Sequence, residues 1–361
     1  MIRIEMSMNN RIFRLREALV EKKLDGMFIS QPDNRYYLSG FDGSAGYLLI
    51  TPKDTLLATD FRYLEQVKIQ SPEYVLFRIT GGVSEWFPKL TGETGIKTLG
   101  FESGDITHAM YRQLAEALKN SGFPIQLIPV EGLVESLRTV KDTEEIGLIK
   151  QAVEITDRAF EYIEGTIKPG MTELEVAWQL ERFQRENGSQ SMPFEIIVAS
   201  GPNSALPHAK PTEKQIQSGE PIVIDMGARV GHYCSDFTRT LCLGEPDDTY
   251  KKVYDTVLGA QLAAIALIKK GITGKEADGF ARTVIEEAGY GEEFGHSLGH
   301  GTGLAAHENP RVGPNSEDIL SDGMVFSVEP GIYLPGWGGI RIEDLAVIEN
   351  GVINVLSKGR K

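Results

Sequence analysis

Over the first 130 positions the apolar residues follow two periods, and each period predicts a kind of element. Ile12, Leu15 and Leu19 recur at helical spacing within residues 9–23. Short apolar runs at 25–30 (DGMFIS), 46–51 (GYLLIT), 55–59 (TLLAT) and 97–103 (KTLGFES) predict strands. An amphipathic pattern around 107–120 predicts another helix. Between the first two strands, NRYYLSGFDGSAG (34–46) reads as a turn-rich loop and a candidate rim or lid. The alternation of helix and strand ends near residue 130. Asp142 and Glu145 then form a capping-box pattern, followed by an apolar stripe of Ile146, Ile149 and Val153. The boundary therefore falls at about 130–142, which gives predicted domains of 1–132 and 140–361.

The second domain carries an internal repeat. IKPGMTELEVA (167–177) and IKKGITGKEAD (268–278) agree at Ile, Lys, Gly, Thr and Glu, an offset of 101 residues that persists at Gly188 and Gly289. Duplicated helix–strand halves are expected.

Each half continues into a hairpin. In PIVIDMGARVGHYCSDFTRTLCL (221–243) the turn is placed at ARVG. A turn centred near Val230 sets Asp225 opposite residue 235 or 236, and Asp236 is there. In MVFSVEPGIYLPGWGGIRIEDLAVIE (324–349) a turn centred near Gly336 sets Glu329 opposite Glu343. Like charges facing one another across a strand pair destabilise it, and unpaired charge in runs as apolar as PIVID is expensive. Two such pairs, one per half, imply a cation between them. Four carboxylates with one or two imidazoles form a hard donor set that favours Mn2+, Co2+ or Fe2+ over a Cys/His zinc site. Their charge would balance two divalent ions, the common hydrolytic arrangement.

Composition narrows the setting. The 361 residues suit two domains. A net charge of −14 argues against a nucleic-acid surface. The two cysteines, Cys234 and Cys242, have no framework spacing, and neither a signal peptide nor a long apolar span is read, so a soluble cytoplasmic protein that engages no membrane is expected. GHGTG lacks the frames of a phosphate loop. Three of the six histidines, His296, His300 and His307, lie in HSLGHGTGLAAHE. His108 and His232 match no motif and read as structural.

IDMGA, SDFTRT, HSLGHGTGLAAHE, VEPGIY and GIRIED, in that order, resemble the pita-bread metallopeptidases, in the subgroup of aminopeptidase P and prolidase. The resemblance implies an α+β protein: a creatinase-like α/β domain, then a pita-bread catalytic domain of duplicated helix and antiparallel strand. It implies five metal ligands. Asp225 would hold one ion, Asp236 and Glu343 would bridge both, and His300 and Glu329 would complete the other. Glu329 would also shuttle the proton of a bridging water. His307 would meet the substrate carbonyl, and His296 would line the prolyl pocket. His208 and Arg341 would stand on the substrate side, Arg341 orienting the ligand network or approaching a substrate carboxylate. The cofactors implied are two divalent ions, Mn2+ or Co2+ ahead of Fe2+ or Zn2+. The implied activity is hydrolysis of an Xaa-Pro bond, in dipeptides or at the N-terminus of peptides with proline second, by a homodimer. Methionine-type aminopeptidases lack this first domain, and creatinase has no metal. A non-catalytic peptide-binding module would show broken ligand positions, and here all five are filled. Ala305 and Ala306 depart from the acidic or bulky residues of many relatives and bear on fine specificity.

Overall fold

The computed structural model describes residues 2–92 and 94–361, which divide into two compact units at Arg138/Thr139. The first unit is built on a six-stranded mixed sheet. Its order is Val75–Arg78, Thr55–Thr59, Tyr47–Ile50, Gly26–Ile29, Thr98–Glu102, Gln126–Val130. The four strands expected from the sequence are the four inner ones. The two additional strands, VLFR and QLIPV, are the edges, and their residues are exposed or half-buried. Phe28, on a central strand, stacks on Tyr47 at 5.0 Å and meets Phe87 edge-on at 5.2 Å, anchoring the core beneath the helix Val83–Gly92.

The segment read as loop 34–46 is corrected in its first half. Pro32–Ser39 is a helix, capped by Gln31, whose side chain accepts from the Asn34 N–H, and closed by Gly40 in the left-handed region. Asn34, Arg35, Tyr37, Leu38 and Ser39 on it are buried. Its polar residues hide the period because their partners are internal: Asn34 donates to Glu102 and Glu135, and Arg35 to the carbonyls of Gly43 and Gly46.

The second unit repeats itself. The helices Glu173–Glu186 and Gly274–Glu287 begin at Thr172 and Thr273, each with a capping box closed by Glu175 or Glu276. Gly188 and Gly289 follow them with positive φ. The longer helices Thr143–Thr166 and Asp248–Leu267 precede them. The first half carries a three-stranded sheet in the order Phe237–Cys242, Pro221–Met226, Ile197–Ser200. The second carries five strands in the order Glu308–Val312, Gly299–Gly301, Val325–Val328, Asp344–Glu349, Val352–Val355. A bridge between Thr238 and Glu343 joins the halves.

The register of the second hairpin is as read. Val328 faces Asp344 and Gly331 faces Arg341, which sets Glu329 opposite Glu343. The first hairpin is corrected. Its turn is Gly231–His232 rather than ARVG, and Asp225 pairs with Thr238, not Asp236. Gly231 and His232 both have positive φ (54° and 70°), as a two-residue hairpin turn requires. Only the first of them is a glycine, so the turn is half hidden in the sequence. Asp236 lies two residues before Thr238, at the diagonal position that shares the face of Asp225.

Candidate metal centre

The two strand junctions place four carboxylates and one imidazole together. Asp225 comes from the strand Pro221–Met226. Asp236 immediately precedes the strand Phe237–Cys242, and Glu343 precedes Asp344–Glu349. His300 sits mid-strand in Gly299–Gly301, and Glu329 follows Val325–Val328. One ligand atom each from Asp236, His300 and Glu343 lies within 4.8 Å of the others. His300 Nε2 is 3.2 Å from Glu329 Oε1 and 3.8 Å from Asp236 Oδ2.

The donor set fits a cation. Asp225 Oδ1 and Glu343 Oε1 are buried and have no hydrogen-bond partner among the described residues. Buried oxygens left this way are costly unless something positive meets them. Burial pushes the Asp236 carboxyl well up, and the facing Glu343 and Asp225 push it further. Glu343 rises in the same way, from burial and then from Glu329 and Asp225. Burial also raises Asp225, in part offset by Arg341. Burial would lift Glu329 too, but the His300 hydrogen bond holds it down to about 2. Burial works to lower His300, yet Glu329 raises it to about 9. Burial and mutual repulsion leave Asp225, Asp236 and Glu343 with a strong demand for positive charge.

A polar layer holds the ligands. Thr238 Oγ1 donates to Glu343 Oε2 at 2.6 Å, and Ser327 Oγ donates to Glu329 at 2.8 Å. Arg239, about 1% exposed, donates to the carbonyls of Thr238 and Glu343 and to Asp344. Arg341 is equally constrained. Its Nη2 meets Asp225 Oδ2 at 2.7 Å, Nη1 meets the Tyr333 hydroxyl at 2.8 Å, and Nε meets Thr238 Oγ1 at 3.2 Å. Its guanidinium is thus bonded to one of the ligand candidates, Asp225.

All nine residues singled out from the sequence line one cleft of about 650 Å³: the five ligand candidates, His208, His296, His307 and Arg341. His296 Nε2 is 3.0 Å from the Tyr333 hydroxyl. Burial lowers its pKa, with Glu329 opposing. His307 lies against His300, ring centroids 4.1 Å apart, and desolvation and that neighbour lower its pKa as well. Tyr333, Thr238 and Ser327 are the participants the sequence reading did not assign. Tyr333 and Thr238 stand inside the quoted runs VEPGIY and SDFTRT, and their alternation with the acids was the available signal. Ser327 precedes Glu329 by two in MVFSVE and shares its face for the same reason.

Duplicated halves around a carboxylate-rich centre define a pita-bread metallopeptidase. Residues 147–350 match metallopeptidase family M24, and residues 11–140 match the creatinase/prolidase N-terminal domain. The chain belongs to family M24. It is 44% identical to a solved Xaa-Pro dipeptidase from Bacillus anthracis, with a TM-score of 0.95 and 98% of each chain covered. It is 40% identical to a solved X-Pro aminopeptidase from Thermotoga maritima, with a TM-score of 0.86, covering 93% of this chain and 96% of that one. A Pyrococcus horikoshii Xaa-Pro dipeptidase is 40% identical over 343 residues, 94% of this chain and 95% of that protein. Among the described residues no helix is long and apolar enough to cross a membrane.

Proposed function

We propose that the protein is a metal-dependent Xaa-Pro dipeptidase. The observation that carries this reading is the convergence of Asp225, Asp236, Glu329 and Glu343 with His300, two of the carboxylates keeping a buried, unpartnered oxygen. Those five side chains would hold two divalent cations, with Mn2+ or Co2+ suited to so oxygen-rich a set, and the cations would acidify water and polarise the scissile carbonyl.

The chain's own groups do the rest. Glu329 is ionised at neutral pH, takes a proton from the attacking water and returns it to the prolyl nitrogen as the C–N bond breaks. His307 donates to the carbonyl oxygen as negative charge grows there. His296 and Tyr333, tied together, form a wall of the pocket for the proline ring. Proline's tertiary amide offers no N–H, which suits a pocket that selects by shape.

The similar proteins named as dipeptidases and as an aminopeptidase leave two substrate lengths to compare. Arg311 favours the shorter. It lines the cleft, is exposed, and its guanidinium makes no ion pair or hydrogen bond among the described residues. Arg341, by contrast, is already committed to Asp225 and Tyr333. A dipeptide brings a free carboxylate close to the scissile bond, and a free guanidinium is the group that recognises it.

The test is to dialyse the protein against chelator, restore Mn2+ or Co2+, and assay Ala-Pro, Ala-Pro-Ala and Met-Ala-Ala. Metal-dependent cleavage of Ala-Pro ahead of Ala-Pro-Ala, with none of Met-Ala-Ala, is expected. Arg311→Met should raise KM for Ala-Pro about tenfold, the loss of one charge-assisted contact, and leave Ala-Pro-Ala within about twofold. Equal losses on both substrates would remove the dipeptide preference. Absence of metal-dependent cleavage would remove the enzyme reading.

A further inference from the structure

His208 reaches the cleft from the loop that follows the strand Ile197–Ser200. Its imidazole makes no hydrogen bond among the described residues. Its place is therefore set by the backbone that carries it. That backbone is pinned from beneath by one buried carboxylate. Glu173, the first residue of the helix Glu173–Glu186, is fully buried. Its Oε1 accepts from the Ser200 N–H at 2.7 Å, the Ser200 hydroxyl at 2.8 Å and Asn203 Nδ2 at 3.1 Å. Its Oε2 accepts from the Thr212 N–H at 3.0 Å and the Thr212 hydroxyl at 2.6 Å. One side chain thus ties both ends of the loop, Ser200 and Thr212, to a single point.

The rest of the loop is fastened to the site. Ser204 Oγ accepts from the Gly339 N–H at 2.8 Å, and the Pro207 carbonyl accepts from Arg341 Nη1 at 3.3 Å. The second half of the unit solves the same problem differently. The backbone bonds Glu173 N–H to Lys214 O and Leu174 N–H to Thr212 O recur there as Gly274 N–H to Asp318 O and Lys275 N–H to Ser316 O. Glycine replaces Glu173, and the pin comes from the loop itself, Asp318 accepting from the Arg311 N–H. Each half thus has one carboxylate pin, at the start of the helix in the first and in the loop in the second.

We propose that Glu173 is a positioning residue that holds the 200–212 loop so that His208 faces the cleft. The geometry stands without any activity, whereas its catalytic consequence rests on the peptidase reading above.

Glu173→Gln and Thr212→Val test it, the second keeping the buried carboxylate in case the first folds poorly. In the metal-loaded protein both should speed amide exchange across 201–212 by about tenfold or more and leave 299–308 unchanged. On Ala-Pro, kcat/KM should fall roughly tenfold, with bound metal unchanged. Introduced into a His208→Ala background, the same changes should cost less than about twofold, because the residue they position is gone. A full loss in that background, or unchanged exchange in 201–212, overturns the proposal. If the parent protein proves inactive on Ala-Pro, the peptidase reading fails by itself, and the exchange measurement alone decides the role of Glu173.

Discussion

Glu329 stands between Ser327 Oγ, which donates to it, and His300 Nε2, 3.2 Å away. The first fixes its rotamer and the second keeps it ionised, the two conditions a proton acceptor needs. Glu329→Gln should therefore lower kcat on Ala-Pro by about 10²–10⁴, measured in steady state with bound metal quantified. A variant with the parent kcat would take Glu329 out of that role. At this scale the sequence was informative about the acids, because charge inside an apolar strand is conspicuous by its cost. It said less about neutral partners. Thr238 and Ser327 are ordinary strand residues until the fold turns their hydroxyls onto Glu343 and Glu329.

At the scale of elements, the short strand Gly299–Gly301 is packed backbone against backbone. A Cβ on Gly299 would fall well inside contact distance of the Ser327 carbonyl, and one on Gly301 inside that of Asn309. Backbone against backbone has no flexible end to move. Gly299→Ala should destabilise the protein by about 2 kcal/mol or more, lowering the melting temperature by roughly 5 °C. It should also weaken metal retention, since His300 is the next residue. A melting curve within 1 °C of the parent's, on the order of the ordinary scatter for a neutral substitution, would contradict this. The repeat helices were legible because their caps and glycines are local signals. The hairpin of Asp225 was displaced because a histidine occupies a turn position that normally advertises itself as glycine or asparagine. The helix Pro32–Ser39 escaped because its buried residues include the polar Asn34, Arg35 and Ser39.

For the whole molecule, the centre makes stability depend on pH when cations are withdrawn. Burial and mutual repulsion raise the pKa of Asp225, Asp236 and Glu343, and Glu329 raises that of His300 to about 9. Groups whose pKa is higher in the fold than in the unfolded chain stabilise it fully below their unfolded pKa and cease to do so as pH rises through the folded value. Glu329, held down to about 2, has the opposite sign, but its contribution is lost only as pH falls from about 4.5 toward that value. From the ordinary carboxylate range up to about 9 these groups should cost the chelated protein stability as pH rises, a trend that His296 and His307, whose pKa is lowered, oppose only below about 6.5. Calorimetry in chelator should show a lower melting temperature near pH 8.5 than near pH 5.5, on the order of a few degrees, and saturating Mn2+ should flatten the difference. A melting temperature that rises across the interval in chelator would refute the assignment of these groups as a mutually repelling buried set.

The sequence alone determined the acids and imidazoles, the duplicated capped helices and the second hairpin's register, since each depends on spacing along a short stretch of chain. The tertiary structure decided which of these groups meet and what holds them. The commitment of Arg341 to Asp225 and the grip of Glu173 on both ends of the His208 loop join residues far apart in sequence, and the diagonal placement of Asp236 follows from a turn whose second residue is a histidine. Periodicity and capping are encoded locally, whereas the partner of a buried polar group is chosen by whatever the fold brings beside it.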